Sequence, residues 1–230
     1  MVGTAPQLLL VDDDESSRLL LVQVLDSWGY EVAQARSGAE ALRMLKQRTF
    51  DALLTDLEMP VITGFVLVRE IRVREAQSGT RRMPVMAISG HATLAARREC
   101  VRLGFDRVLS KPFDWDNVRG ALRELGGPGG LCPRKPLEVS SEVRSLLPSF
   151  LAARQEDCSG MVVALENGEF GEIDRLGHRL KGSGGSFGFP ELSTIGELLE
   201  VAARERDAEG CAEALDALVA TLREAVSRAA

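Results

Sequence analysis

This 230-residue chain holds only two histidines, one tyrosine and four cysteines. The cysteines, Cys100, Cys132, Cys158 and Cys211, stand far apart, with no close pair and no accompanying histidine. That spacing excludes a zinc knuckle or a disulfide scaffold and fits a reducing compartment, where each is a small apolar residue. Long apolar runs are missing as well: nothing approaches the roughly 20 residues needed to cross a bilayer. The opening Met-Val-Gly-Thr-Ala-Pro lacks the basic start of a signal peptide, so a cytoplasmic protein with no membrane partner is expected. Nor is there a basic surplus. The net charge is −6, and it is uneven: Met1 to Leu125 balances 17 basic against 17 acidic residues, whereas Glu138 to Ala230 has 9 against 17. An acidic surface repels a phosphate backbone, and no recognition-helix or zinc-finger pattern appears, so nucleic acid is not an expected partner. Walker motifs, kinase Gly-rich loops and ATP-lid patterns are absent too, which leaves the chain no evident way of drawing a phosphoryl group from ATP.

What is present is ordinary globular material, 45% hydrophobic and 27% charged, with room for about two domains. Gln7 to Val11 is a short apolar run that stops at Asp12-Asp13-Asp14-Glu15, the pattern of a buried strand and an acidic loop. A helical stripe through Leu19, Leu20, Val22, Val24 and Leu25 then runs to Trp28 and Gly29. Glu31 to Ala35 reads as a second strand, and Ser37-Gly-Ala-Glu40 has capping-box spacing. Further strands are expected at 51–55, 84–88 and 107–109. Helices are expected at 65–75, 94–103 and, behind Asp114, to about Leu125. Five strands alternating with five helices predict a doubly wound α/β domain with a parallel five-stranded sheet.

In such sheets the site forms at the carboxyl ends of the strands. Asp12 and Asp13 follow strand one, Asp56 strand three, Ser89 strand four and Lys111 strand five, so all five fall on one edge. Asp12, Asp13 and Asp56 offer the hard oxygen ligands that suit Mg²⁺, which binds through few carboxylates and keeps waters and phosphate oxygens. Lys111 is a point cation for a phosphoryl oxygen, and the Ser89 hydroxyl can donate to another.

These residues, with Met59-Pro60, Gly64 and Pro112, resemble the response-regulator receiver domains of two-component signalling over nearly the whole first half. The resemblance implies that Asp56 accepts a phosphoryl group from a phosphohistidine, that Ser89 is the switch hydroxyl and that the Lys111-Pro112 peptide is cis. It also implies that Glu58 and His91, two residues beyond Asp56 and Ser89, flank the mouth of the site. One departure stands out. The family's switch aromatic usually lies three residues before the lysine, where this chain has Val108.

Leu125 to Leu137, LGGPGGLCPRKPL, cannot continue a helix or pair in a sheet, which marks 126–137 as a linker between domains 1–125 and 138–230. Beyond it the periodicity is helical throughout, with stripes through Val143, Leu146, Leu147, Phe150 and Leu151, then Leu192, Ile195, Leu198, Leu199 and Ala202, then Leu215, Leu218, Val219 and Leu222. Pro148 either interrupts the first helix or sits in a first turn. Short connections between such helices predict an antiparallel four-helix bundle. If residues 170–187 are helical, Ile173, Leu176, Leu180, Gly184 and Phe187 face the core, and His178, Lys181, Gly182 and Gly185 cluster on the outward side. Two glycines in a helix cost roughly 1 kcal/mol each against alanine, so their place beside an imidazole suggests that another molecule approaches it closely. The alternative is an irregular glycine loop with an incidental histidine.

The run His178-x-Leu-Lys181-Gly182 with Gly188 is similar to the signature of histidine phosphotransfer (HPt) domains. That implies a phosphorylated His178, an assisting Lys181, and Gly182 and Gly185 cleared for a docking receiver. The expected function is a phosphorelay intermediate without kinase activity of its own, taking a phosphoryl group on Asp56 and exchanging one through His178. Its partners would be a sensor histidine kinase and a downstream response regulator. A phosphorylation-gated interaction protein or a phosphate sink is the alternative.

Overall fold

A computed structural model describes residues 5–90, 93–125, 131 and 139–229. The chain divides into two units, Met1–Glu142 and Val143–Ala230. In the first, strands β1 (Gln7–Val11), β2 (Glu31–Ala35), β3 (Ala52–Asp56), β4 (Val85–Ser89) and β5 (Arg107–Ser110) form one parallel sheet in the order β2-β1-β3-β4-β5. Their apolar runs are continuous because both faces are covered: every residue of β3 and β4 is buried. The order reverses between β1 and β3, which opens the crevice where such sheets bind ligands.

Five helices connect and cover the strands: α1 (Glu15–Ser27), α2 (Gly38–Gln47), α3 (Gly64–Ser78), α4 (Leu94–Leu103) and α5 (Trp115–Leu125). Their starts are set by side-chain caps. Asp14 accepts from the Ser17 amide, Ser37 from Glu40, Thr63 from Val66 and Thr93 from Ala96, each satisfying an orphan donor of the first turn. Glu40 reaches back to the amide of Arg36 rather than that of Ser37, one residue off the expected capping box. Gly79 and Gly104 end α3 and α4 in the left-handed conformation.

The second unit holds α6 (Val139–Glu166), α7 (Phe170–Gly184), a 3₁₀ turn (Gly185–Phe187), α8 (Pro190–Glu205) and α9 (Ala208–Ala229). Helix α6 runs unbroken through Pro148, which neither interrupts it nor lies in its first turn. Pro148 is exposed, so the carbonyl it leaves unpaired one turn earlier can be met by water. The Phe150 ring stacks on Phe187 at 4.0 Å between centroids, tying α6 to the end of the histidine helix. Buried Arg154 donates to the Ser183 hydroxyl at 2.9 Å and pairs with Asp157 at 3.0 Å. Leu198, expected in the α8 core stripe, is exposed, because the apolar face of α8 runs instead through Leu192, Ile195, Leu199 and Ala203.

Helices α7 and α8 approach unusually closely. A Cβ built on Gly196 would lie 2.4 Å from the Lys181 amide nitrogen and 2.6 Å from the Gly177 carbonyl oxygen, and one on Gly184 would lie 2.8 Å from Leu192 Cβ. Backbones at that spacing admit no side chain, so these glycines set the distance between the helices. Among the described residues no helix is long and apolar enough to cross a membrane. Of the expected linker, only Leu131 lies within the described residues.

Candidate functional site

The carboxyl edge of the sheet collects the polar residues that end its strands. Lys111 projects its ammonium between two carboxylates, donating to Asp12 Oδ2 at 2.9 Å and to Asp56 Oδ2 at 2.5 Å. All three side chains are 5% exposed or less. Asp56 Oδ1 accepts from the Glu58 amide at 2.9 Å, and Asp12 Oδ1 from the Asp14 amide at 2.9 Å. Asp14 is a cap, holding both the amide and the hydroxyl of Ser17. Asp13 is half-buried beside Asp12, Ser89 is buried at the end of β4, and Glu58 is exposed. His91 lies outside the described residues. The Lys111–Pro112 peptide is cis.

Gly64 explains why this loop needs a glycine. A Cβ there would sit 2.2 Å from the Asp56 carbonyl oxygen, and the Gly64 amide donates to Leu57 at 3.0 Å, folding the loop back over the end of β3. At the loop's tip Val61 is 99% exposed with φ of 66°, a strained conformation for a β-branched residue. Val108 packs against the core cluster that includes Phe105 and Ala87, so no ring occupies the switch position.

The charge balance bears on a cation. Burial pushes the Asp12 carboxyl up to about 7, with Asp56 and Asp14 adding to the rise and Lys111 opposing it. Burial also works against charge on Lys111, but Asp12 and Asp56 outweigh it and hold that ammonium above its ordinary range. Among the described residues no cluster of three acidic, histidine or cysteine groups already forms a metal cage, since Lys111 stands between two of them. Buried carboxylates in negative excess, offering oxygen only, nonetheless suit a hard divalent cation that retains water.

In the second unit the histidine stretch is helical to Gly184 and continues as the 3₁₀ turn, so the loop alternative fails. All five residues expected on the core side are buried. The outward side needs correction. The His178 side chain is 19% exposed rather than bare, Gly185 is half-buried, and Gly182 is buried. A glycine has no side chain to carry surface outward, so its helical position does not by itself expose it.

His178 is held. Its Nδ1 lies 2.7 Å from Oε1 of Glu200, a residue 1% exposed on α8. Glu200 also receives Lys181 Nζ at 3.3 Å and an Arg204 nitrogen at 3.5 Å, and Lys181 donates to Glu197 at 2.9 Å. With cations on both sides Glu200 is a carboxylate, which only accepts. Beside such a carboxylate the neutral imidazole carries its hydrogen on Nδ1, which leaves the lone pair on Nε2. Sequence reading passed over Glu200 and Gly196. Their signal was available: an acid and a glycine four residues apart, continuing the stripe through Leu192 and Leu199.

Residues 8–123 match the family model of the response regulator receiver domain, and residues 145–230 match that of the Hpt domain. The chain belongs to the receiver family. Behind its receiver it carries an Hpt domain, the pairing of two-component phosphorelay signalling. It is similar to the sensor histidine kinase AruS of Pseudomonas aeruginosa, 30% identical over 91% of this chain and 22% of that protein. It is also similar to the virulence sensor protein BvgS of Bordetella pertussis, 27% identical over 94% of this chain and 20% of that protein. The chain thus spans about a fifth of the length of these relatives. Among solved structures, the co-crystal of the Saccharomyces cerevisiae histidine phosphotransfer signaling protein Ypd1 with the receiver domain of its downstream response regulator Ssk1 contains a chain with TM-score 0.52. That match has 21% identity and covers 56% of this chain and 94% of that one, a likeness of fold.

Proposed function

We propose that this chain is a phosphorelay intermediate, in which Asp56 of the receiver accepts a phosphoryl group and His178 of the Hpt domain carries or exchanges one with kinase and receiver partners. The observation that carries this reading is the pair of preorganised groups in one chain. One is an aspartate fixed by Lys111 and the Glu58 amide; the other is an imidazole fixed by a buried carboxylate.

On the receiver, an Asp56 oxygen attacks the phosphorus of an incoming phosphohistidine. The new O–P bond gives an acyl phosphate, the P–N bond breaks, and its electron pair stays on the departing imidazole, which leaves neutral because its other ring nitrogen carries the hydrogen. Charge spreads over the phosphoryl oxygens during this step, and catalysis consists of position and compensating charge. Lys111 and the Ser89 hydroxyl supply both. Asp12, Asp13 and Asp56 are the residues that would hold Mg²⁺, which when bound neutralises the carboxylates and the arriving phosphoryl. On the Hpt domain, Glu200 keeps Nδ1 protonated and so reserves Nε2 as the nucleophile, while Lys181, one turn further, offers a cation to the phosphoryl. Glu200 is a positioning residue.

The test is radiolabel transfer from candidate histidine kinases to the wild-type chain and to Asp56→Asn and His178→Gln variants. The reading expects Asp56→Asn to stay unlabelled by a kinase that addresses the receiver, and His178→Gln to take label on Asp56 without passing it on. Equal labelling of all three chains contradicts it.

A further inference from the structure

Among the described residues, the segment between the two domains meets the receiver at Leu131. Leu131 is 7% exposed, and its carbonyl accepts a 2.5 Å hydrogen bond from the hydroxyl of Tyr30, itself 3% exposed and the sole tyrosine of the chain. Tyr30 immediately precedes β2, and Leu131 lines a cavity of about 1010 Å³ together with Gln7, Phe50 and Pro84, residues that open or precede β1, β3 and β4. In a parallel sheet these positions share one edge, the edge opposite Asp56. A buried phenol hydroxyl needs an acceptor, and here it finds a main-chain carbonyl 101 residues away.

We propose that Tyr30 and Leu131 form a pin that fixes the interdomain segment to the foot of the receiver and shortens the tether that joins it to the Hpt domain. Measured from the end of α5 at Leu125 to the start of α6 at Val139, an unpinned chain reaches at most about 50 Å; measured from Leu131, the reach falls to about 29 Å. A domain of this size is roughly 35 Å across. The pinned tether is shorter than the receiver's own height and the released one longer. The effective concentration of two linked sites falls as the tether between their domains becomes short against the span it helps to cover. Resting on the phosphorelay reading, the pin therefore disfavours transfer between Asp56 and His178 of one chain and favours exchange with other molecules.

The experiment uses the full chain with 3-fluorotyrosine, which places fluorine at Tyr30 alone. Leu131→Asp is expected to move the single ¹⁹F resonance toward its solvent-exposed position, while Pro133→Ala leaves it in place; a resonance unmoved by Leu131→Asp overturns the pin. Losing one buried hydrogen bond shifts the docked-to-released ratio by about fivefold, and losing the leucine's burial shifts it further. Tyr30→Phe and Leu131→Asp should accordingly raise the concentration-independent, within-chain share of transfer severalfold, in that order. If fluorine reports release and that share does not rise, the proposed control of reach is wrong. If no variant transfers at all while fluorine still reports release, the phosphorelay reading fails and the pin survives.

Discussion

Glu200→Gln separates a positioning role from a structural one. In the wild type the Nδ1–H of His178 meets a buried carboxylate at 2.7 Å, a contact that favours the tautomer with its lone pair on Nε2 and steadies positive charge on the ring. Glutamine keeps the length and one carbonyl oxygen but loses the charge. A hydrogen bond to a charged group contributes about 1.5–3 kcal/mol and a neutral one about 0.5–1.5, so the exchange removes about 1–1.5 kcal/mol. If that preference is needed in the transition state, transfer slows about five- to twelvefold. Lys181 retains Glu197 at 2.9 Å, so its place near the phosphoryl should persist. The assay is single-turnover transfer from a phosphorylated partner receiver, read beside imidazole ¹⁵N spectra, in which only His91 and His178 contribute. The wild type should show His178 as the Nδ1–H tautomer above its titration, and Glu200→Gln should lose part of that population in step with the rate. An Nε2–H tautomer in the wild type, or a Glu200→Gln rate within twofold of it, refutes the reasoning.

Further outcomes follow from the same contacts. Gly196→Ala places a methyl 2.4 Å from the Lys181 amide, forces α7 and α8 apart, and should cost about 1–3 kcal/mol in thermal unfolding while also slowing transfer through His178. Val61→Gly relieves a positive φ at a side chain that is 99% exposed and should stabilise the receiver by about 1 kcal/mol in denaturant titrations. Asp12 holds its proton to about 7 when folded against 3.8 when unfolded, so its contribution favours the fold at low pH and is lost as pH rises toward 7. Chelator-treated wild type should therefore lose stability between about pH 4 and 7 relative to Asp12→Asn, and added Mg²⁺ should raise the wild-type melting temperature more at pH 8 than at pH 5.5. A flat difference between the two proteins over that range contradicts the assignment.

Much of this was legible in the chain because period and punctuation agree. Continuous apolar runs gave the central strands, and Ser37 and Asp114 gave helix starts that their side-chain hydrogen bonds bear out. The polar residues of the site were readable because a parallel sheet puts every strand end on one edge. Less was readable where tertiary contact decides. Helical angle placed Gly182 outward, yet it is buried, so Gly182→Leu is expected to disturb the fold as well as docking. Glu200 looks like one more surface acid until Gly196 and Gly177 bring α8 against α7 and seat it beneath His178. Leu131, in a stretch whose composition marks it as a linker, is buried because a tyrosine distant in sequence needs an acceptor. Pro148 marks a helix end by local rule, but its exposed position lets α6 run through it.

The central claim is that one chain holds both an aspartate and a histidine that carry phosphoryl groups, and mixing two crippled chains tests it most directly. A His178→Gln chain is labelled on Asp56 with radioactive acetyl phosphate and Mg²⁺, freed of donor, and added to an Asp56→Asn chain. The account expects label to leave the first protein and appear, acid-labile and alkali-stable, on His178 of the second. Label that decays from Asp56 to inorganic phosphate while the second chain stays blank would contradict it.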